Sequence, residues 1–176
     1  MRILFATLLS LLSMSPSAWA GGTYQTPEDF LHEVFAGAVP APAVLWLTGE
    51  VRTTAAEILD HQPGQLRVRY WQQGPRTAWI LDEIGKDQPI TTGLVVNAGR
   101  LERVRVLIFR ESRGWEVKYP FFTDQFNRVG LTDGLKLDGR IDGVSGATLS
   151  VRALTNLARL ALFLHEQTPA NQHVAP

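Results

Sequence analysis

Three stretches of this chain predict an α+β fold, a single domain in which an antiparallel β-sheet packs against α-helices. Leu66 to Trp71 alternates in hydropathy and, after a Gln73-Gly74-Pro75 turn, is followed by the apolar run Thr77 to Ile84. Pro89 to Asn97 and Leu101 to Phe109 flank Asn97-Ala98-Gly99-Arg100, a turn whose residues tolerate positive φ, so this pair reads as a hairpin. Val151 to His165 repeats apolar residues every three or four positions, the pattern of one long helix lying across a sheet.

Taken in order, Met1 to Ala20 reads as a cleavable signal peptide: Arg2, the apolar run Ile3 to Leu12, then Ala18-Trp19-Ala20 as the cleavage site. The apolar run is shorter than the roughly 20 residues of a membrane span. The expected product is an exported, periplasmic domain, long enough to bury a core. In its N-terminal part, residues 21–83, Thr26-Pro27-Glu28-Asp29 combines a cap, a first-turn proline and first-turn acids. The helix it announces runs to about Ala36, with Phe30, Leu31, Val34 and Phe35 as its apolar face. Pro40-Ala41-Pro42 breaks the chain; Ala43 to Leu47 is then a buried strand or an extended segment, and Val51 to Leu59 a helix ending before His61-Gln62-Pro63-Gly64.

In the alternating stretch, Leu66, Val68 and Tyr70 share one face while Arg67, Arg69 and Trp71 share the other. With Arg76, these arginines predict a basic, solvated side of the sheet. Within the hairpin, Val104, Val106 and Ile108 alternate with Arg103, Arg105 and Leu107. The aromatic run Tyr119 to Phe126 is expected to pack the domain, with Asp124 and Gln125 as minor contact candidates. The last helix is expected from Ser145 or Gly146 to Glu166, burying Val151, Leu154, Leu157, Leu160, Phe163 and Leu164 and turning Arg152 and Arg159 outward. Residues 167–176 read as a flexible tail.

Charge and residue types exclude several functions. Lys plus Arg number 17 and Asp plus Glu 17; loss of Arg2 with the signal leaves 16 against 17, a balance that argues against nucleic acid as partner. No cysteine is present, which rules out disulfides, CxxCH haem attachment and thiolate-held iron–sulfur clusters. His32, His61, His165 and His173 stand far apart and read as surface or capping residues, with no zinc-site spacing. Redox chemistry here would need an organic cofactor.

Asp142-Gly143-Val144-Ser145-Gly146-Ala147-Thr148-Leu149-Ser150 leads directly into the last helix. A helix start carries unpaired N–H groups and the positive end of the macrodipole, both of which favour an anion such as a phosphate. Asp142-Gly143 suits a turn, Ser145 a cap, and Gly146-Ala147 leave room beside the Thr148 hydroxyl. The same residues also suit an ordinary N-cap with no ligand.

This nonapeptide resembles the flavinylation motif of the FMN-binding domain family, which includes the periplasmic C subunit of the sodium-pumping NADH:quinone reductase and the G subunit of the Rnf complex. The hairpin with its Pro-Ile start is similar to that family, and so is Glu111-Ser112-Arg113-Gly114-Trp115, which resembles the family's E-T-x-G loop against the flavin. Lys86-Asp87-Gln88 replaces glycines common before Pro-Ile, and Glu116 replaces a second loop glycine. The resemblance covers about Ile84 to Glu166. It implies FMN held through a phosphoester on Thr148, placed by a flavin transferase that uses FAD, with Asp142, Ser145, Gly146, Ala147 and Leu149 around the attachment and Glu111, Ser112, Gly114 and Trp115 near the ring. Gly114 permits close approach and Trp115 offers an aromatic wall. The implied function is an electron-transfer flavoprotein working with a membrane or haem-containing redox partner, to which it can be held at the membrane. A non-covalent FMN-binding reductase and a cofactor-free exported binding or assembly module are the alternatives.

Overall fold

The computed structural model describes residues 22–172; the expected signal peptide, residues 1–20, and His173 lie outside them. Thr26 accepts the Asp29 N–H and starts α1 (Pro27–Val34), after the two-residue strand β1 (Gly22–Thr23). β2 (Ala43–Trp46), α2 (Gly49–Leu59), β3 (Arg67–Gln73), β4 (Arg76–Ile84), β5 (Pro89–Asn97) and β6 (Arg100–Phe109) follow. A 3₁₀ turn at Trp115–Lys118, α3 (Pro120–Thr123) and a second 3₁₀ turn at Asp124–Phe126 lead through a long loop to α4 (Thr148–Glu166) and α5 (Pro169–Gln172). The six strands form one antiparallel sheet in the order β1-β6-β5-β4-β3-β2. Among the described residues no helix is long and apolar enough to cross a membrane.

The β5–β6 hairpin closes as its turn residues dictate, with Ala98 at φ 49° and Gly99 at φ 74°, the two positive-φ positions of a type I′ loop. β4 and β5 at the sheet's centre are buried over most of their lengths because both faces are covered. On one face lie α2 and α4, whose Ile58, Leu154, Leu157 and Leu164 meet Trp79, Leu94 and Val104. On the other face lies α1, where Phe30, Leu31 and Phe35 pack on Ala78, Val95 and Leu107, with Trp71 beside them. Phe30 lies against Gly93, where an added Cβ would come within 2.7 Å of the ring. The side expected to be solvated is therefore partly roofed by α1. Arg67 and Arg69 remain exposed there, but Arg76 stands across from Gln73 at the turn and pairs with Glu102 at 3.0 Å, so the three arginines do not form one cluster.

Four further expectations change. Ala43–Trp46 is an edge strand with Val44 and Trp46 exposed, since only one of its faces has a neighbour. Arg159 is half-buried, its guanidinium donating to the carbonyls of Leu135 and Ile58, which draws it in from solvent. Residues 167–172 are not loose: the Thr168 hydroxyl donates to the His165 carbonyl at 2.7 Å, and Ala170 of α5 is buried. His165 is fully buried. Its Nε2 accepts the Gly99 N–H at 3.3 Å, so Nδ1 carries the proton and donates to Thr77 Oγ1 at 2.8 Å, which also accepts from Trp79 Nε1. Burial pushes the ring's pKa down to about 4.

Candidate functional site

The loop before α4 is fastened at its near end by Asp138. Its carboxylate accepts the Gly130 N–H at 2.8 Å and pairs with Arg100, and these contacts hold it below the usual carboxylate range. Leu101 exchanges backbone bonds with Arg128 and Val129, which ties the loop to β6. Leu137, Ile141 and Val144 tuck apolar side chains against the main core as the chain climbs to the helix.

The helix begins later than expected. Gly146 sits at φ 78°, outside helical space, and Ala147 takes the N-cap position with no side-chain capping bond; Thr148 is the first helical residue. Ser145 lies in the exposed turn and caps nothing. Consequently the N–H groups of Thr148, Leu149 and Ser150 have no partner among the described residues, and neither does the exposed Thr148 hydroxyl. A 19-residue helix with its positive end left open beside a free alcohol is a seat for an anion.

The predicted residues divide between this seat and its support. Asp142 is exposed; its carboxylate pairs with Arg140 at 2.8 Å, and its N–H donates to Gln125 Oε1 at 2.7 Å. Gly146 faces open space, whereas Ala147 is buried. Leu149 is partly exposed beside Thr148, and Arg152, one turn on, points to solvent without a described partner.

Gly114 brings the second predicted loop to the helix start. It has φ 81°, and a Cβ there would stand 2.7 Å from Ser150 Oγ and 3.3 Å from Ala147 Cβ. The close approach that this glycine allows is thus to the first turn of α4 itself. Ser112 is exposed on the same loop. Trp115 is half-buried against the core, edge-on to Tyr119 at 5.7 Å, and Tyr119 in turn lies 6.3 Å from Phe121. Tyr119 and Phe121 are exposed while Phe122 and Phe126 are fully buried, so the aromatic run both packs the domain and leaves aromatic surface in solvent.

Glu111 is 6 % exposed, and its Oε1 accepts three backbone N–H groups, from Lys86, Asp87 and Gln88, at 2.6, 2.6 and 2.8 Å. Burial pushes its pKa up, but the three bonds outweigh that and hold the carboxyl below its ordinary value. Its place in the fold is as the clamp of the turn that enters β5. The Lys86-Asp87-Gln88 departure from glycine is therefore accommodated by a side chain 23 to 25 positions away. Asp138 gave no signal in the sequence; Ser150 closes the recognised nonapeptide, but only the structure shows its place under Gly114. Gln125 sat in a recognised run, but only its contact with Asp142 reveals its role.

Two clefts, of about 740 and 550 Å³, include no residue of the Thr148 loop: one lies between β6 and residues 118–127, with Tyr119 and Asp124 in its lining, the other beside His61 and Glu83. Among the described residues no group of three or more His, Cys, Asp or Glu is placed to hold a metal ion.

Comparison with protein families matches residues 85–162 to the FMN-binding domain. That span runs from the turn clamped by Glu111 through the hairpin and the Thr148 loop into α4. Neither the curated proteins nor the solved structures contain a match to the chain.

Proposed function

We propose that this chain, whose residues 85–162 match the FMN-binding domain, carries FMN covalently on Thr148 and serves as an exported electron-transfer flavoprotein. The observation that supports this most is the open start of α4: three unpaired N–H groups and an exposed, unbonded Thr148 hydroxyl within the nonapeptide. Phosphoester formation would join Thr148 Oγ to the FMN phosphorus of FAD and break the pyrophosphate P–O bond. AMP leaves, and the hydroxyl proton passes to a base of the flavin transferase. The remaining phosphodiester charge faces the positive end of α4. The exposed hydroxyl suits an enzyme that must reach it, and a tether needs no deep cleft to retain the cofactor.

Bound flavin supplies one- and two-electron redox chemistry. In this chain Thr148 and the α4 start would hold the phosphate, Gly114 keeps the neighbouring loop against that turn, and the exposed Tyr119 and Phe121, with Trp115, would offer an apolar surface to a ring. The leader-like residues 1–20 support export to the periplasm, where a membrane or haem-containing partner exchanges the electrons. In cells that also express a flavin transferase, the wild-type chain should fluoresce in a denaturing gel and Thr148→Ala should be dark. Flavin that is lost from the wild type on denaturation would support a non-covalent FMN-binding reductase instead.

A further inference from the structure

The stretch from Gly139 to Gly146 has no helix or strand of its own, yet it delivers Thr148. Among the described residues its backbone makes one hydrogen bond to the rest of the fold, the Asp142 N–H to Gln125 Oε1 at 2.7 Å. The Arg140–Asp142 ion pair is internal to the stretch and exposed, and the Ala147 N–H to Val144 carbonyl bond closes only its last turn. Gln125 has a firm base. It lies in the 3₁₀ turn Asp124–Phe126, where Phe126 is fully buried and packs edge-on to Phe122 at 5.5 Å. Its own Nε2 donates to the Phe121 carbonyl at 3.4 Å, which fixes the amide so that the oxygen faces Asp142.

We propose that Gln125 is a positioning residue for flavin attachment: it straps Asp142 and so fixes the six residues that present the Thr148 hydroxyl. This rests on the attachment proposed above. The strap is a single exposed bond, so its loss loosens the loop at Asp142 while Ile141 and Val144 still pack on the core.

The test compares Gln125→Leu, which removes the acceptor at similar size, with Gln125→Glu, which keeps one. Asp142 amide exchange is measured in the flavin-free chain, FMN addition is timed by intact mass with a flavin transferase and FAD, and melting is followed for each. In Gln125→Leu, exchange should rise and addition should slow, each by about five- to tenfold, with melting unchanged. Gln125→Glu keeps an acceptor for the Asp142 N–H but not the bond to the Phe121 carbonyl, so it should retain most of the wild-type protection and rate, with melting unchanged. Wild-type exchange and rate in Gln125→Leu, equal slowing in Gln125→Glu, or a lowered melting temperature that accounts for the slowing would each overturn the strap. A wild-type chain that takes up no FMN would overturn the attachment, and with it the role of Gln125.

Discussion

The two ends of α4 are built on opposite plans. At its C-terminal end the His165 carbonyl accepts the Thr168 hydroxyl, the Gln167 N–H bonds back to Leu164, and the His165 ring is satisfied by Thr77 and Gly99 in a fully buried network. At its N-terminal end no side chain caps the helix, three N–H groups are open and a hydroxyl stands free in solvent. The ends are about 25 Å apart at the rise of an α-helix. One helix thus anchors itself in the core at one end and leaves the other unsatisfied, a division expected where binding is built on a rigid element.

The largest effect that separates the ends is at Thr148. Thr148→Ala should abolish covalent flavin outright, yet shift stability by no more than about 0.5 kcal/mol, since the hydroxyl bonds nothing in the fold. Intact mass and urea melts check the two halves of that expectation.

His165 should show the reverse. The unfolded ring takes up a proton near pH 6.5, while the buried ring resists until about 4, so the unfolded state binds more protons in that interval. Stability is complete above pH 6.5 and should fall by about 3 kcal/mol as pH drops to 4. His165→Leu should cost about 2 kcal/mol at pH 7 by leaving the Gly99 N–H unpaired. It should also flatten the acid dependence, with FMN addition at Thr148 unaltered. Denaturant melts across this pH range decide it.

Gly114→Ala probes the join between the loop and the open end. A left-handed backbone and a Cβ 2.7 Å from Ser150 Oγ should together cost about 1–2 kcal/mol and slow FMN addition. Adding Ser150→Ala removes the clashing oxygen and should recover part of both in a double-mutant cycle. The smallest effect belongs to Arg140→Ala: its pair with Asp142 is almost fully exposed, and calorimetry should find a change below about 0.5 kcal/mol.

What could be read beforehand follows the same division. The hairpin was legible because Asn97-Ala98-Gly99-Arg100 carries its own backbone requirement, and α4 because its apolar period spans five turns. The start of α4 was misplaced by two or three residues: Ser145 reads as a cap, but Gly146 at φ 78° takes the chain out of helical space first. His165 reads as a surface residue because its partners lie 88 and 66 positions away, on β4 and in the β5–β6 turn, and meet it only after folding. Arg159 and Glu111 escaped for the same reason, since both bond to backbone groups distant in sequence. The proposed attachment residue, Thr148, is singled out by local motif chemistry. The side chains that hold its loop, Asp138 and Gln125, are set by tertiary contacts.

The central claim is that the open end of α4 is a covalent flavin seat. The most direct measurement is the intact mass of the denatured chain after incubation with a flavin transferase and FAD, followed by mapping of the modified peptide. The account predicts a gain of one FMN less one water, confined to the peptide that contains Thr148. An unmodified chain, or an adduct carried on any other residue, would contradict it.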